Sequence, residues 1–345
     1  MAFVLALVSA ALPCLALDLP AENIWKVLVS PDGSRAVCAY RDGKIGVFDL
    51  ASGDLIGLMK GHKDRANGLA FSPDMTMAAS SDSNKTVILW DLAAMKKKAS
   101  IKCGSEAYSL AFSPDGKYLA MVVKGGGEVY ELGVKPKQIG KFTYYSQAER
   151  LDTRNFDFAD QQIYRSIAFN ADSSLVLAAK MYSARLHFRI GEPKADYRAS
   201  GAYAAPCLLL DSPDTFATMI LEKRSGDASK QGVTVSFHTV ADGSVVGEPV
   251  TFELGAGKVE DKGISPSGAI AWFDTKNKEG ILSLELFRLD GSGLIASIPT
   301  PNPTRCVCFS EKDSIFWYCD AETDILTKVN LADGSTIASF KLSAK

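Results

Sequence analysis

Histidine is scarce in this chain, which has three among its 345 residues, and no HExxH, GxSxG, Walker or CxxC motif is present. Those short patterns mark zinc proteases, α/β-hydrolases, phosphate-binding loops and thiol metal or redox sites. The pair Cys306 and Cys308 has the wrong spacing for the last of these. The common nucleophile, metal and nucleotide chemistries therefore have no support, and the sequence predicts no bound cofactor.

An excess of charge and a helical period are lacking as well. The 38 basic and 40 acidic residues give a formal net charge of −2, so bulk charge implies no polyanion-binding surface. A hydrophobic content of 47% excludes disorder as the main state. No stretch of about ten residues or more follows a helical period, and short apolar runs end in Gly, Pro, Asp or Ser, which predicts an all-β chain.

The first residues form an apolar run that is too short for a comfortable membrane span. No charge precedes Asp18, and residues 3–17 are almost entirely apolar, whereas a spanning helix needs roughly 20 residues. The run matches the apolar region of a secretory signal peptide with cleavage after Ala16, although no Lys or Arg precedes it. We predict that residues 1–16 are a signal peptide of an exported protein, periplasmic or extracellular. The alternative is a cytoplasmic protein in which this run is a strand packed on the domain, or a mis-assigned start codon.

Cleavage there would leave six cysteines: Cys38, Cys103, Cys207, Cys306, Cys308 and Cys319. An even number in an exported chain permits disulfides. Most of the six lie within apolar strand-like runs, however, where cysteine commonly serves as a small hydrophobic residue. The sequence therefore favours reduced thiols in the core.

A recurring turn divides the chain into seven units. In the best-preserved unit, Gly61–Asp91, an apolar run ends in Ser72-Pro73-Asp74, where Pro presets φ and Asp bonds its own backbone. Related turns begin at Ser30, Ser72, Ser113, Asn170, Ser212, Ser265 and Ser310. Their spacing is close to the 40–45 residues, roughly, of a propeller blade, with two longer intervals.

Each unit fits four short antiparallel strands, because a second apolar run in each ends in a hairpin turn rich in Gly, Asp and Ser. In the first unit the strands are expected at about 24–30, 35–40, 45–50 and 54–60. The sequence thus predicts a seven-bladed β-propeller of four-stranded blades over residues 23–343. Every blade is expected to come from contiguous sequence, unless the leader contributes a strand.

The chain resembles the WD-repeat seven-bladed β-propellers on two dipeptides of one unit, Gly61-His62 and Trp90-Asp91. In that family His, a hairpin Asp, a Ser or Thr, and Trp form a buried hydrogen-bonded network in each blade. Counting back from the Trp-Asp position places Asn84 at the Asp position of the second blade and Asp42 at that of the first. The resemblance therefore implies that no blade has the full set, and that His62 is a partly satisfied structural residue.

The order of the strands predicts which end of the ring binds a partner. In a meander, the turns between strands one and two and between three and four share one end. The loop between strands two and three and the link to the next blade share the other. Two insertions, 146–162 and 224–232, fall at this second end, where long loops are commonly functional. The first supplies the predicted partner-binding residues Arg150, Asp152, Arg154, Phe156, Asp157 and Phe158, with a tolerated surface insertion as the alternative.

The innermost strands should begin at the mouth of the central channel. The candidate residues there are Arg65, Glu106, Arg165, Asp261 and Arg305. Their mixed charge fits a small anion better than a metal ion, which would require several carboxylates, and ordinary ion pairing would also explain them. A propeller enzyme or small-anion binder at this mouth is the alternative to a binding scaffold.

Lys96, Lys97 and Lys98 begin an expected outermost strand. Lysines on an edge strand deter edge-to-edge aggregation, and this run lacks the interleaved aromatics of a nucleic-acid site. We therefore predict a non-enzymatic propeller that binds a protein or peptide, without nucleic acid or a stable membrane span. It is expected to be a monomer or a subunit of a larger complex.

Overall fold

The computed structural model describes residues 24–123, 126–143, 164–169, 172–180, 185–191, 207–210, 215–222, 231–239, 244–255, 257–310 and 313–342. These residues form 27 strands in seven antiparallel sheets, and in each sheet the strands are paired in chain order. Six sheets have four strands and one has three. The predicted all-β propeller architecture is confirmed, including blades drawn from contiguous sequence.

The first three sheets follow the predicted repeat. The first contains β1 (Ile24–Val29), β2 (Arg35–Tyr40), β3 (Ile45–Asp49) and β4 (Leu55–Met59). The second contains β5 (Ala66–Phe71), β6 (Met77–Asp82), β7 (Thr86–Asp91) and β8 (Lys96–Lys102). The third contains β9 (Ala107–Phe112), β10 (Tyr118–Val123), β11 (Gly126–Glu131) and β12 (Lys137–Thr143). The strands expected in the first unit are each found within a residue of their predicted ends.

The remaining sheets continue the same order. The fourth contains β13 (Tyr164–Phe169), β14 (Leu175–Lys180) and β15 (Arg185–Arg189). The fifth contains β16 (Cys207–Leu209), β17 (Thr215–Leu221), β18 (Gln231–Thr239) and β19 (Val245–Leu254). The sixth contains β20 (Gly257–Ile264), β21 (Ile270–Asn277), β22 (Leu282–Arg288) and β23 (Gly293–Thr300). The seventh contains β24 (Thr304–Ser310), β25 (Ile315–Asp320), β26 (Ile325–Asn330) and β27 (Thr336–Lys341).

In the first three sheets, the turn after the first strand is held by its own serine and aspartate. The Ser30 hydroxyl donates to the Asp32 carboxylate over 2.6 Å and accepts the amide of Arg35 over 2.9 Å. The bond from Ser30 is the main reason that the pKa of Asp32 lies below its ordinary value. Gly33 has a φ of 68°, which glycine adopts without strain, whereas the equivalent Met75 carries a φ of 58°. The recurring sequence signal is therefore a local hydrogen-bonded turn.

Apolar clusters pack successive sheets against one another and close the ring. Val27 and Phe48 of the first sheet share one cluster with Trp317 and Leu326 of the seventh, all nearly or fully buried. The first strands of the first five sheets lie side by side in order, and β1 also lies beside β24 of the seventh sheet. Because side chains at alternate positions of each strand face the next sheet, the core is a series of interfaces rather than one centre.

Candidate functional site

The predicted partner-binding loop lies outside the described residues. This applies to Arg150, Asp152, Arg154, Phe156, Asp157 and Phe158, and their assignment stays a prediction. Residues 224–230 of the second insertion are outside the described residues as well. The site can therefore be built only from the rest of that end of the ring, where the links and the turns between second and third strands lie.

The candidate channel-mouth residues lie at or near the starts of innermost strands. Arg65 and Glu106 immediately precede β5 and β9, and Arg165 and Arg305 are the second residues of β13 and β24. Asp261 lies further into β20, where its carboxylate accepts the amide of Lys262 over 2.9 Å. Consecutive antiparallel pairing puts all these strand starts at the same end of the ring as the links.

A bulge recurs near the start of the first strand in six of the described sheets. The pairing skips Trp25, Asn67 with Gly68, Tyr108, Arg165, Glu260 and Arg305. A bulge turns a side chain out of the regular alternation and is common at barrel rims and beside functional sites. The sequence analysis found two of these positions as charged residues but missed their common cause, because a register slip leaves no distinctive residue pattern.

Arg65 and Glu106 are joined through an asparagine that the sequence analysis did not single out. Arg65 Nε donates to Asn67 Oδ1 over 2.9 Å, and Asn67 Nδ2 donates to Glu106 Oε1 over 2.5 Å. Asn67 is 8% exposed, so both ends of its amide are used inside the protein. The two residues predicted at the mouth are thus fixed relative to each other across two sheets.

Glu106 accepts two further hydrogen bonds. The Ser83 hydroxyl donates to its Oε1 over 3.1 Å, and the Tyr108 hydroxyl donates to its Oε2 over 3.3 Å. Burial, with the neighbouring Glu106 charge, raises the pKa of Tyr108 above its ordinary value, so the phenol stays a donor. Glu106 therefore accepts three side-chain hydrogen bonds and fixes Asn67, Ser83 and Tyr108 at the end of the ring where the links lie.

The guanidinium groups of two arginines lie over the ring of Trp25, the bulged residue of β1. The Arg65 guanidinium carbon lies 4.2 Å from the centre of the Trp25 ring, and that of Arg41 lies 5.4 Å from it. Both distances are within the range of a cation–π interaction. Neither Trp25 nor Arg41 was singled out in the sequence, because the contact joins three segments that are separated along the chain. These are the start of β1, the turn between β2 and β3, and the link before β5.

Arg305 is not available as a free anion ligand. Its guanidinium forms a 2.8 Å ion pair with Asp324 and donates to the carbonyl oxygens of Ile24 and Ala321. Its side chain is 14% exposed and that of Asp324 is 7% exposed. Burial raises the pKa of Asp324 above its ordinary value while Arg305 opposes that shift. Arg305 therefore ties the seventh sheet to the first.

The second sheet contains the complete hydrogen-bonded set of the WD-repeat family, so the expectation that no blade has it was wrong. His62 Nδ1 lies 3.0 Å from Asp82 Oδ2, and His62 Nε2 lies 2.6 Å from Ser80 Oγ. Trp90 Nε1 donates to the same Ser80 oxygen over 2.7 Å. The partner of His62 is Asp82, and not Asn84, because Asp82 ends β6 while Asn84 lies in the turn.

One protonation pattern satisfies every atom of this network. The imidazole Nδ1–H donates to the Asp82 carboxylate, the Ser80 hydroxyl donates to Nε2, and Trp90 donates to the Ser80 oxygen. Burial lowers the pKa of His62, with Asp82 opposing the shift, which favours this neutral imidazole. The other Asp82 oxygen accepts the amide of Thr86 over 2.8 Å. His62 is therefore fully rather than partly satisfied, and it is structural.

In the first sheet, Asp42 has a different role from the one expected by counting. Asp42 pairs with Lys44 within the same turn, and the two side chains are 43% and 38% exposed. It is therefore a surface turn residue. The expected family position in this blade was wrong, because the turn places the carboxylate outside the sheet.

Four cysteines of the described residues are buried free thiols, namely Cys38, Cys103, Cys308 and Cys319, and Cys306 is a half-buried one. Burial raises the pKa of Cys103 to about 12. This placement agrees with the core-thiol prediction for those five positions. No three His, Cys, Asp or Glu side chains among the described residues are grouped to hold a metal ion. In the same part of the chain no helix is long and apolar enough to cross a membrane.

Comparison with a family model gives a match that spans β4 of the first sheet and β5 to β7 of the second. The model described as WD domain, G-beta repeat matches residues 53–91, an interval that holds all four members of the His62 network. Small ribosomal subunit protein RACK1y of Oryza sativa subsp. japonica is 27% identical over 150 residues, which are 43% of this chain and 42% of that protein. The chain matches less than half the length of the first curated relatives.

Two solved structures share the fold. The Cps50 (Swd1) β-propeller domain of Myceliophteria thermophila is similar with a TM-score of 0.65 and 13% identity, over 90% of this chain and 96% of that one. The hydrazine synthase of Kuenenia stuttgartiensis is similar with a TM-score of 0.63 and 13% identity, over 95% of this chain and all of that one. At such identities the likeness concerns the fold alone. The chain therefore resembles the WD-repeat β-propellers in its fold, in one matched repeat and in the complete buried network of that repeat.

Proposed function

We propose that this protein is a non-enzymatic scaffold that binds a protein or peptide at the end of the ring where the links lie. WD-repeat propellers are generally protein-interaction scaffolds, which supports the proposal at the level of the family. The observation that carries it is the chain of contacts from Trp25 through Arg65 and Asn67 to Glu106. This chain of contacts spans three sheets at that end of the ring and contains both aromatic and charged groups. The protein then acts as a monomer or as a subunit of a larger complex.

The opposite end of the ring offers less to a partner. Its turns bond their own polar groups, as Ser72 does with Asp74 over 2.6 Å and Ser113 with Asp115 over 2.7 Å. Carboxylates that accept local hydroxyl and amide donors have fewer free acceptor positions for another molecule. The two ends of the same fold therefore differ in what they present, and this favours the end with the links.

The 146–162 loop is the proposed contact segment at that end, and charge reversal tests it. With Arg150→Glu and Arg154→Glu together, we expect capture of the native partner by the tagged protein to fall at least tenfold, because arginine anchors commonly dominate interfaces. Capture is measured by quantitative mass spectrometry of the host's cell fractions. The matched control is Lys117→Glu with Arg288→Glu, two exposed residues at the opposite end with the same change of charge. Equal capture by both double variants would contradict the proposal.

The alternative of an enzyme or small-anion binder at the channel mouth has weaker support. The fold likeness to a hydrazine synthase is the observation in its favour, and at 13% identity it concerns architecture alone. Against it, the contacts of Arg305 with Asp324 and two carbonyl oxygens leave that guanidinium little capacity for an anion. The scaffold remains the better-supported function.

We also propose that the protein is exported after removal of residues 1–16. The apolar leader is the basis, and the first and seventh sheets each obtain four strands from residues 24–342. Intact mass and N-terminal sequencing of protein from the host's fractions test this. We expect a chain that begins at Leu17 and is found outside the cytoplasm. A chain that retains Met1 in the cytosol would contradict export.

A further inference from the structure

We propose that Trp25, Arg41 and Arg65 form a binding site for a carboxylate of an acidic peptide. The inference rests on the proposed scaffold function and names the chemistry of the partner at that end of the ring. Trp25 is skipped by the β1–β2 pairing between Ile24 and Lys26, and the bulge releases its ring from the regular alternation of the strand. Both arginines lie over this one half-buried ring.

Arg65 is held so that part of its guanidinium stays available. Its Nε donates to Asn67 Oδ1 over 2.9 Å, and Asn67 is itself held by Glu106. Within the described residues the two terminal nitrogens of Arg65 have no protein acceptor. Those nitrogens form one edge of a planar group, and such an edge binds a carboxylate with two parallel hydrogen bonds. The side chain is therefore oriented before any ligand arrives.

Arg41 is held near Arg65 by a close approach of two backbone segments. Gly43, in the same turn as Arg41, has a φ of +80°, and a Cβ there would lie 2.7 Å from the carbonyl oxygen of Asp64. The turn between β2 and β3 is thus pressed against the link that carries Arg65. Glycine is required at this contact, both for its backbone conformation and for the space.

Three carboxylates of this region accept bonds from groups other than the two guanidinium groups. Asp42 pairs with Lys44, and Asp64 accepts the amide of Arg65 over 2.7 Å. Glu106 accepts three side-chain donors. Arg41 and Arg65 have no ion-pair partner within the described residues. Two guanidinium groups that lie over one aromatic ring, neither of them in an ion pair with a described residue, are an arrangement that can bind an anion.

The surroundings favour a peptide over a nucleic acid. Asp42 and Asp64 are the sequence neighbours of the two arginines, and Glu106 is linked to Arg65 through Asn67. These three carboxylates would repel the unbroken row of phosphates of a nucleic acid more strongly than one carboxylate of a peptide. A peptide with one or two acidic residues can place a carboxylate on the arginines and pack an apolar group on Trp25. Binding should weaken with added salt, because the contact is partly exposed.

The test uses fluorescein-labelled (Gly-Glu)5 as the acidic probe, with (Gly-Gln)5 and a ten-residue oligothymidylate as comparisons. Binding to the full chain is followed by fluorescence anisotropy at low and high salt. We expect the acidic peptide to bind, with affinity reduced at least tenfold by Arg65→Met and reduced to a smaller extent by Arg65→Lys, which keeps the charge but loses the planar edge. Arg288→Met, an exposed arginine at the opposite end, is the matched control and should bind as wild type does.

The outcomes separate this site from the scaffold function. Undetectable binding of the acidic peptide, or equal binding by wild type and Arg65→Met, overturns the inference. Tighter binding of the oligothymidylate overturns it in favour of nucleic acid. The same Arg65→Met variant is then used in capture of the native partner. If capture depends on Arg150 and Arg154 but not on Arg65, the scaffold stands and the acidic-peptide site fails. Circular dichroism and urea midpoints equal to wild type ensure that any loss is one of binding.

Discussion

Replacement of Arg305 by methionine should lower the free energy of unfolding by about 3–5 kcal/mol, because it leaves the buried Asp324 carboxylate without a counter-ion. The side chain of Asp324 is 7% exposed, so water can replace little of the lost interaction. The same substitution removes donors to the carbonyl oxygens of Ile24 and Ala321. Since Ile24 begins the first sheet and Arg305 lies in the seventh, the substitution removes a hydrogen bond that joins the two sheets where the ring closes. Urea denaturation followed by tryptophan fluorescence measures it.

The deficit of this variant should depend on pH. The pKa of Asp324 is already raised by burial, and removal of Arg305 raises it further. A carboxyl whose folded-state pKa lies above its unfolded value destabilises the folded state at neutral pH, and protonation relieves the cost as pH falls toward the unfolded value of 3.8. The difference between wild type and variant should therefore be largest near pH 7.5 and smaller near pH 4.5.

An exposed ion pair gives the matched control for Arg305. Lys44→Met removes the partner of Asp42, whose side chain is 43% exposed, and should change the unfolding free energy by about 0–1 kcal/mol. The double variant Arg305→Met with Asp324→Asn should recover part of the loss, because no buried charge remains. A loss as small as that of Lys44→Met, or no recovery in the double variant, would show that the unpaired Asp324 charge is not the cause of the lost stability.

Replacement of Ser80 by alanine should lower the free energy of unfolding by about 2–4 kcal/mol. The Ser80 hydroxyl is the shared partner of Trp90 Nε1 and His62 Nε2, and both groups become unsatisfied in the interior without it. Trp90 is 0% exposed and the His62 side chain is also 0% exposed, so neither can turn to solvent. The penalty is that of desolvation without a hydrogen bond.

A double-mutant cycle separates this mechanism from simple loss of packing. In Trp90→Phe the indole donor is absent, so the further change Ser80→Ala leaves only His62 Nε2 without a hydrogen-bond partner, rather than both groups. We expect the Ser80→Ala cost to be smaller by about 1 kcal/mol in the Trp90→Phe background. Ser100→Ala, an exposed serine of the outermost strand β8 in the same sheet, should change the free energy by less than about 0.5 kcal/mol. Strictly additive effects of the two network substitutions would contradict a shared hydroxyl.

The local features of this protein follow from its sequence because their causes lie within a few residues. The turn at Ser30 forms from a serine and an aspartate two residues apart, and the same pair is bonded in the second and third units. Short apolar runs between such turns form strands whose ends in the first sheet were predicted within a residue. The order of strands in each sheet then follows, because consecutive strands joined by tight turns pair with one another.

The partners of the buried and rim side chains were decided by the tertiary structure. Sequence counting placed Asn84 opposite His62, whereas the fold brings Asp82 there, because the turn length between two strands sets which residue faces inward. The sequence also placed Arg305 at the channel mouth with its partners unassigned. Its partner Asp324 lies in a turn of the same sheet, and its partner Ile24 meets it only when the ring closes. Packing between sheets is long-range and leaves no periodic pattern in the sequence.

What the sequence determined by itself is the repeated four-stranded unit and the end of the ring on which its irregular loops fall. What only the tertiary structure decided is the chemistry of that end. Trp25 contacts Arg41 and Arg65 because a bulge, a hairpin turn and a link from two sheets converge at one point. Bulges and contacts between sheets depend on register and on the closure of the ring, which residues near in sequence do not specify.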